Sequence, residues 1–153
     1  MLARIHSCAV FGIDAFPLAV EVDRRPGLGR FTIVGLPDLS VRESGERVQS
    51  AIQNSGYRLP DGNIVVNLAP ADRRKEGSAL DLPIAVGMLA ASGQLRGGRL
   101  ADYALVGELA LDGSLRPVAG ALSMAICARD TGLHGILLPE ANAGQAGVVQ
   151  GLD

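Results

Sequence analysis

The 153-residue sequence predicts a single α+β domain, and three patterns carry that expectation. The first third alternates β-branched runs with turn residues. The middle holds two segments with helical spacing, and the last third contains a strand, a Gly-containing turn and a return strand before a third helical segment. A chain of this length buries roughly 70% of its unfolded surface, enough for a core without cross-links. Hydrophobic residues make up 48% of the chain and charged residues 20%, which excludes disorder. Fourteen basic against sixteen acidic side chains leave a net charge of −2, so no overall positive charge announces nucleic acid or anionic lipid. Aromatics are 3%, with no Trp, which argues against a stacking platform for single-stranded bases.

Taken in order, Ile5 to Gly12 and Leu18 to Val22 read as strands, and the turn-rich Arg24–Gly29 connection leads to a third, Phe31–Val34. These three form an expected antiparallel meander. A helix follows from Ser40 to Ser55, with Ser40 and Glu43 at capping-box spacing and Glu43–Arg47 as a favourable i, i+4 pair. Its apolar stripe is Val41, Val48, Ala51 and Ile52, which places Arg42 and Arg47 on the solvated face. Asn63 to Leu68 is a strand. The charged loop Ala69–Gly77 then leads to a second helix, about Leu80 to Ala91, apolar nearly all round and therefore central. Ser78 is read as its cap, and Pro83 requires a start near Asp81. Ala104–Pro117 contains a hairpin with a two-residue turn at Asp112-Gly113. Ala119–Thr131 is a helix, Gly135–Pro139 a short strand and Glu140–Ala143 a helical turn, while Val148-Val149 opens one more strand.

Cys8 and Cys127 are far apart in sequence and outside any Cys-x-x-Cys spacing, so neither a disulfide framework nor a zinc site is expected, and two buried thiols are. No stretch approaches 18 consecutive apolar residues and no signal segment opens the chain, which makes the cytoplasm the default location. Lys75 is the only lysine among the fourteen basic side chains. Arg73-Arg74 precede it and Glu76 follows it, so the Gly-x-x-x-x-Gly-Lys-Ser/Thr phosphate loop is absent. The stop at Gly151-Leu152-Asp153 fits a piece of a longer chain.

Three segments now stand out together. They are Gly35-Leu36-Pro37-Asp38 with Val41-Arg42-Glu43-Ser44 and Arg47-Val48; Val66 to Asp72 with Arg74-Lys75-Glu76-Gly77-Ser78 and Asp81 to Ala85; and Gly107-Glu108-Leu109 with Leu111-Asp112-Gly113 and Leu115 to Val118. Over nearly its whole length the chain resembles the N-terminal domain of the ComM/YifB family of magnesium-chelatase-like AAA+ ATPases. The resemblance implies a Lon-protease-domain-like fold, related to a ribosomal-protein domain, with helices packed on a mixed sheet. It implies a following ATPase module that binds ATP and Mg, with no cofactor in this domain. It implies a ring, expected to be a hexamer, acting on branched DNA in natural transformation, with sister protomers and the AAA+ module as partners and no membrane. The magnesium-chelatase label belongs to the ATPase module and implies no porphyrin chemistry in this chain.

Lon-type proteases use a serine nucleophile, in a Gly-Pro-Ser-Ala context, and a lysine base. A gapless overlay places Ala79 at the nucleophile and Ser78 at the preceding proline, and the lysine position, five residues after Pro117, is Leu122. Lys75 is the only candidate base, and in a charged loop its amine stays protonated, near a reference value of about 10.4. No catalytic, cofactor-binding or metal residue is therefore assigned. The favoured expectation is a non-catalytic domain that serves ring assembly and touches DNA through Arg73, Arg74 and Lys75, against the alternative of a solvated turn neutralised by Asp72 and Glu76. Arg24, Arg25 and Arg30 are a weaker second cluster. The alternative classes are a protein-interaction module without DNA binding and a vestigial Ser-Lys protease.

Overall fold

In the computed structural model, which describes residues 1–153, the longest pairing is the hairpin of β1 (Leu2–Phe11) and β2 (Asp14–Arg25), antiparallel from Leu2↔Asp23 to Phe11↔Asp14. Alternation decides which side chains face which layer. Ile5, Ala9, Leu18, Val20 and Val22 point to one face, joined by Ile64, Val66 and Leu68 of β4 (Asn63–Ala69). There they meet α1 (Leu39–Arg42), α2 (Ser44–Asn54) and α3 (Asp81–Ala91) through Val41, Val48, Ile52, Ile84 and Met88. Cys8 on the opposite face packs with Met124, Ala125 and Ala128 of α4 (Ala121–Asp130) in a second, smaller core. The sheet order is β3-β4-β2-β1-β5-β8, where β3 is Phe31–Val34, β5 Tyr103–Leu105 and β8 Gly135–Leu137. This mixed sheet with helices on both faces is the expected α+β class. No helix is long and apolar enough to cross a membrane.

The meander is corrected: β3 does not pair with β2. It lies parallel to β4, from Phe31↔Ile64 to Val34↔Asn67, because β4 already occupies the free edge of β2 in antiparallel register. The Asn63 side chain holds the crossing segment in place by accepting the N–H groups of Gly29 and Arg30 at 3.2 and 2.9 Å. The single helix Ser40–Ser55 is two helices, α1 and α2, broken at Glu43. Asp38 rather than Ser40 caps α1, its carboxylate accepting the Val41 N–H at 2.8 Å. Glu43 does pair with Arg47, at 3.7 Å.

Two further expectations fail locally. The small sheet of β6 (Glu108–Leu109) and β7 (Leu115–Arg116) turns through a longer loop than a two-residue hairpin. Gly113 alone has positive φ there (90°), and the Asp112 carboxylate bonds the hydroxyl and N–H of Ser114 instead of entering the left-handed region. Val148-Val149 form no strand. Val149 is buried against the smaller core after α5 (Ala143–Ala146), and the backbone of Asp153 bonds His134 and Ile136.

The solvated role read for Arg47 is also corrected. Asp81, fully buried at the start of α3, draws the guanidinium inward, with Nε at 2.7 Å and Nη2 at 3.1 Å. The same carboxylate accepts the Ser44 hydroxyl at 2.6 Å and the Leu109 N–H at 3.0 Å. One buried charge thereby ties α2, α3 and β6 together, and its hydrogen bond raises the Arg47 pKa above the ordinary arginine value. Replacing Arg47 with Met strands that carboxylate, so unfolding in urea should show a loss of about 3 kcal/mol, the low end for a broken buried pair because Ser44 and Leu109 remain as donors. A double Arg47→Met, Asp81→Leu variant should recover only part of it, because the buried Ser44 hydroxyl and Leu109 N–H then lose their acceptor.

Candidate functional site

The Gly35–Asp38 and Pro70–Lys75 segments come together as two arms of one structure. Gly35 has φ 104°, and a Cβ there would stand 2.2 Å from the Leu68 carbonyl oxygen, so only glycine fits. Leu36 follows in the left-handed region, at φ 56°, a conformation that costs a non-glycine residue about 1 kcal/mol. Its carbonyl accepts the Lys75 N–H at 3.1 Å, and the Asp38 N–H bonds the Lys75 carbonyl at 3.0 Å. The Lys75 side chain is then carried inward until none of the residue is exposed. Its ammonium donates to the carbonyls of Gly35 at 2.7 Å, Leu68 at 2.9 Å and Pro70. Removal from water pushes its pKa down from the ordinary lysine value, and Asp72 pulls weakly the other way.

This corrects the exposed, solvated Lys75 expected from the charged loop. The three backbone acceptors satisfy all three ammonium protons, which a loop reading of Arg-Arg-Lys-Glu cannot anticipate. Lys75 is consequently withdrawn from the surface on which Arg73 and Arg74 stand. Those two are exposed. The Arg73 guanidinium lies 4.2 Å over the Phe16 ring and 5.9 Å from that of Phe11, and Arg74 is 3.8 Å from Glu76. A stacked guanidinium keeps its in-plane N–H edge free for an anion. In the weaker cluster, Arg24 bonds the Asp61 carbonyl at 2.8 Å and Arg25 pairs with Asp23 at 2.6 Å, leaving Arg30 exposed.

Beside these arms opens a cleft of about 810 Å³. Strand β1 lines it from Cys8 to Val10, with Pro117–Gly120 and Met124 on one side and Asp38, Ser40 and Glu76–Leu80 on the other. Both overlay candidates, Ser78 and Ala79, face it. Ser78 does not cap α3, whose N-cap is Leu80 without a side-chain bond. Its hydroxyl instead donates to the Glu108 carboxylate at 2.6 Å. Leu122 is half-exposed on the first turn of α4 and is not part of the lining. The lining holds Asp38, Glu76 and Glu108 and no basic side chain. Serine attack needs a base able to take the hydroxyl proton, and carboxylates, with reference values near 4, are far weaker than a desolvated amine. Glu108 as the serine's partner and Phe11 and Phe16 beneath Arg73 were not legible beforehand, since each contact joins segments distant in sequence.

Comparison with known proteins then bears on the fold and cleft together. Residues 20–142 match the family model described as subunit ChlI of Mg-chelatase. The chain belongs to that family. It is 48% identical over 150 residues to the uncharacterized protein YifB of Escherichia coli, covering 98% of this chain and 29% of that protein. It is 43% identical over 148 residues to the competence protein ComM of Haemophilus influenzae, covering 97% and 29%. A fainter likeness, 26% over 133 residues, links it to the Lon protease of Lachnoclostridium phytofermentans, covering 82% of this chain and 16% of that protein. The chain thus spans under a third of the length of these relatives, and it is a ComM-like member of the family with Lon-like similarity.

The carbonyl cage makes a measurable demand on stability. Lys75→Met leaves the buried Leu68 carbonyl without its donor and hands the part-buried Gly35 and Pro70 carbonyls to water, so denaturation should show a loss of about 1–3 kcal/mol. Hydrogen exchange at the Asp38 amide should speed up in step.

Proposed function

We propose that this chain is the non-catalytic N-terminal domain of a ComM-like, magnesium-chelatase-related AAA+ DNA motor. In that reading the motor is a cytoplasmic, hexameric branch-migration helicase of natural transformation, with ATP and Mg held by its ATPase module. The domain serves ring assembly and contacts DNA through Arg73 and Arg74. The observation that carries the non-catalytic part is the state of Ser78: its hydroxyl is engaged by Glu108, Leu122 stands at the lysine position, and Lys75 is committed to three carbonyls. The name of the Haemophilus relative and the ChlI-type family match support the motor context. Support for DNA contact is local, since two exposed arginines approach phosphates without reading bases.

A second reading, a protein-interaction module without DNA binding, is favoured by the cleft itself, whose carboxylates and lack of cations repel a phosphate backbone. Fluorescence anisotropy with forked DNA separates the two. If Arg73 and Arg74 each neutralise one phosphate, the Arg73→Ala, Arg74→Ala variant should weaken binding at low salt. The dependence of log K on log salt should then flatten by about 2, at about 0.9 per phosphate contact. Binding and DNA unwinding by the full-length motor that are indifferent to both substitutions would support the interaction module instead. Peptide and casein cleavage should stay at background for the wild-type chain and remain unchanged in Ser78→Ala; turnover that needs this serine would restore the protease reading.

A further inference from the structure

One strand edge inside the main sheet is left open. β2 pairs with β1 along its whole length, from Leu2 to Phe11. On the other side β5 is the only neighbour; it meets β1 at the single position His6↔Ala104 and ends at Leu105. The chain then turns away, the Val106 N–H going to the Leu137 carbonyl at 3.0 Å and the Gly107 N–H to the Ala79 carbonyl at 2.8 Å. No loop supplies a backbone bond to Cys8, Ala9 or Val10 in place of a strand. The N–H and carbonyl groups that this stretch turns away from β2 therefore stand open, and its three residues line the cleft.

Main-chain polar groups require partners, and an open edge is a template for one more strand. The two walls beside this edge differ in kind. Asp38, Glu76 and Glu108 belong to one: the Asp38 carboxylate accepts the Gly77 N–H at 3.3 Å, and Glu108 holds the hydroxyl of the next residue, Ser78. Val118, Ala119 and Met124 belong to the other, which Asn142 fixes by accepting the Val118 N–H at 2.9 Å and donating to its carbonyl at 3.0 Å. Successive side chains of a strand point to opposite sides. An incoming strand therefore meets carboxylates with one set of side chains and apolar surface with the other.

We propose that the cleft binds an extended segment of a partner protein as an added strand on the Cys8–Val10 edge. That segment carries Lys or Arg at every second position, toward Asp38, Glu76 and Glu108, and aliphatic side chains between them, toward Val118, Ala119 and Met124. Main-chain bonds supply the affinity and the alternating side chains the selection. The occupant is polypeptide and not nucleic acid, because a phosphodiester backbone has no N–H for the strand's carbonyls and brings negative charge to a lining with carboxylates and no cation. The inference deepens the interaction-module reading of the cleft and rests on it. It is independent of DNA contact by Arg73 and Arg74, which lie outside this lining.

The probe is a fluorescein-labelled octapeptide of alternating Val and Lys, titrated against the wild-type chain by anisotropy. It should bind saturably, and the counterpart with Glu for Lys at least roughly tenfold more weakly. Two further versions are N-methylated at every Val or at every Lys. A strand turns alternate N–H groups to one edge, so one version should lose at least roughly tenfold in affinity while the other keeps it. Saturating peptide should slow hydrogen exchange at the amides of Cys8–Val10, and Ala119→Trp, at an exposed position of the apolar wall, should abolish binding by filling the slot. Equal binding of the two methylated versions, or unchanged exchange at Cys8–Val10, overturns the added strand, while peptide binding that persists in that form still upholds the interaction-module reading. If neither the Lys nor the Glu peptide binds, the inference and the cleft's support for that reading fall together. The wild-type titrations decide even where Ala119→Trp fails to fold.

Discussion

Taking an ammonium group out of water costs several kcal/mol unless its N–H bonds find acceptors, and this domain meets that demand at Lys75 with three backbone carbonyls. Much follows from the arrangement. The carbonyls belong to the end of β3, the end of β4 and the loop after it, so those segments must approach the amine from three directions. Gly35 is required because the Leu68 carbonyl leaves no room for a side chain, and Leu36 accepts an unfavourable φ so that its own carbonyl can take the Lys75 N–H. Asp38, bonded to the Lys75 carbonyl, is thereby set where it caps α1. A lysine that could have served as a base is part of the framework instead.

Asp81 plays the matching part deeper in the domain. Its four hydrogen bonds bring α2 and β6 to the start of α3, and the residue next to Leu109 is Glu108, the partner of Ser78. The cleft beside them is lined by carboxylates, small polar groups and apolar side chains.

Local patterns of the sequence conveyed the helices and most strands well. The all-round apolar character of Leu80–Ala91 placed α3 in the core, and Pro83 located its start close to Asp81. Patterns failed wherever a side chain acts across the fold. A spacing rule cannot tell that Arg47 turns inward, since its outward position on the stripe is overridden by a carboxylate more than thirty residues away. Nor can it see that β4 takes the edge of β2 before β3 arrives, which undid the meander. The motif residues Gly35, Asp38, Arg47, Lys75, Asp81 and Glu108 were visible as a family resemblance, while their meaning was not: five of them join one of the two polar nodes or pack against it, and Asp38 and Glu108 also line the cleft. Cys8 and Cys127 are the two buried thiols expected, while their place in one cluster comes from the topology and not the spacing.

Because the Gly35–Asp38 arm and the Glu76–Leu80 rim hang from a single lysine, neither can shift without dislodging the other. A loss of that hold would reach both segments of the cleft lining at once.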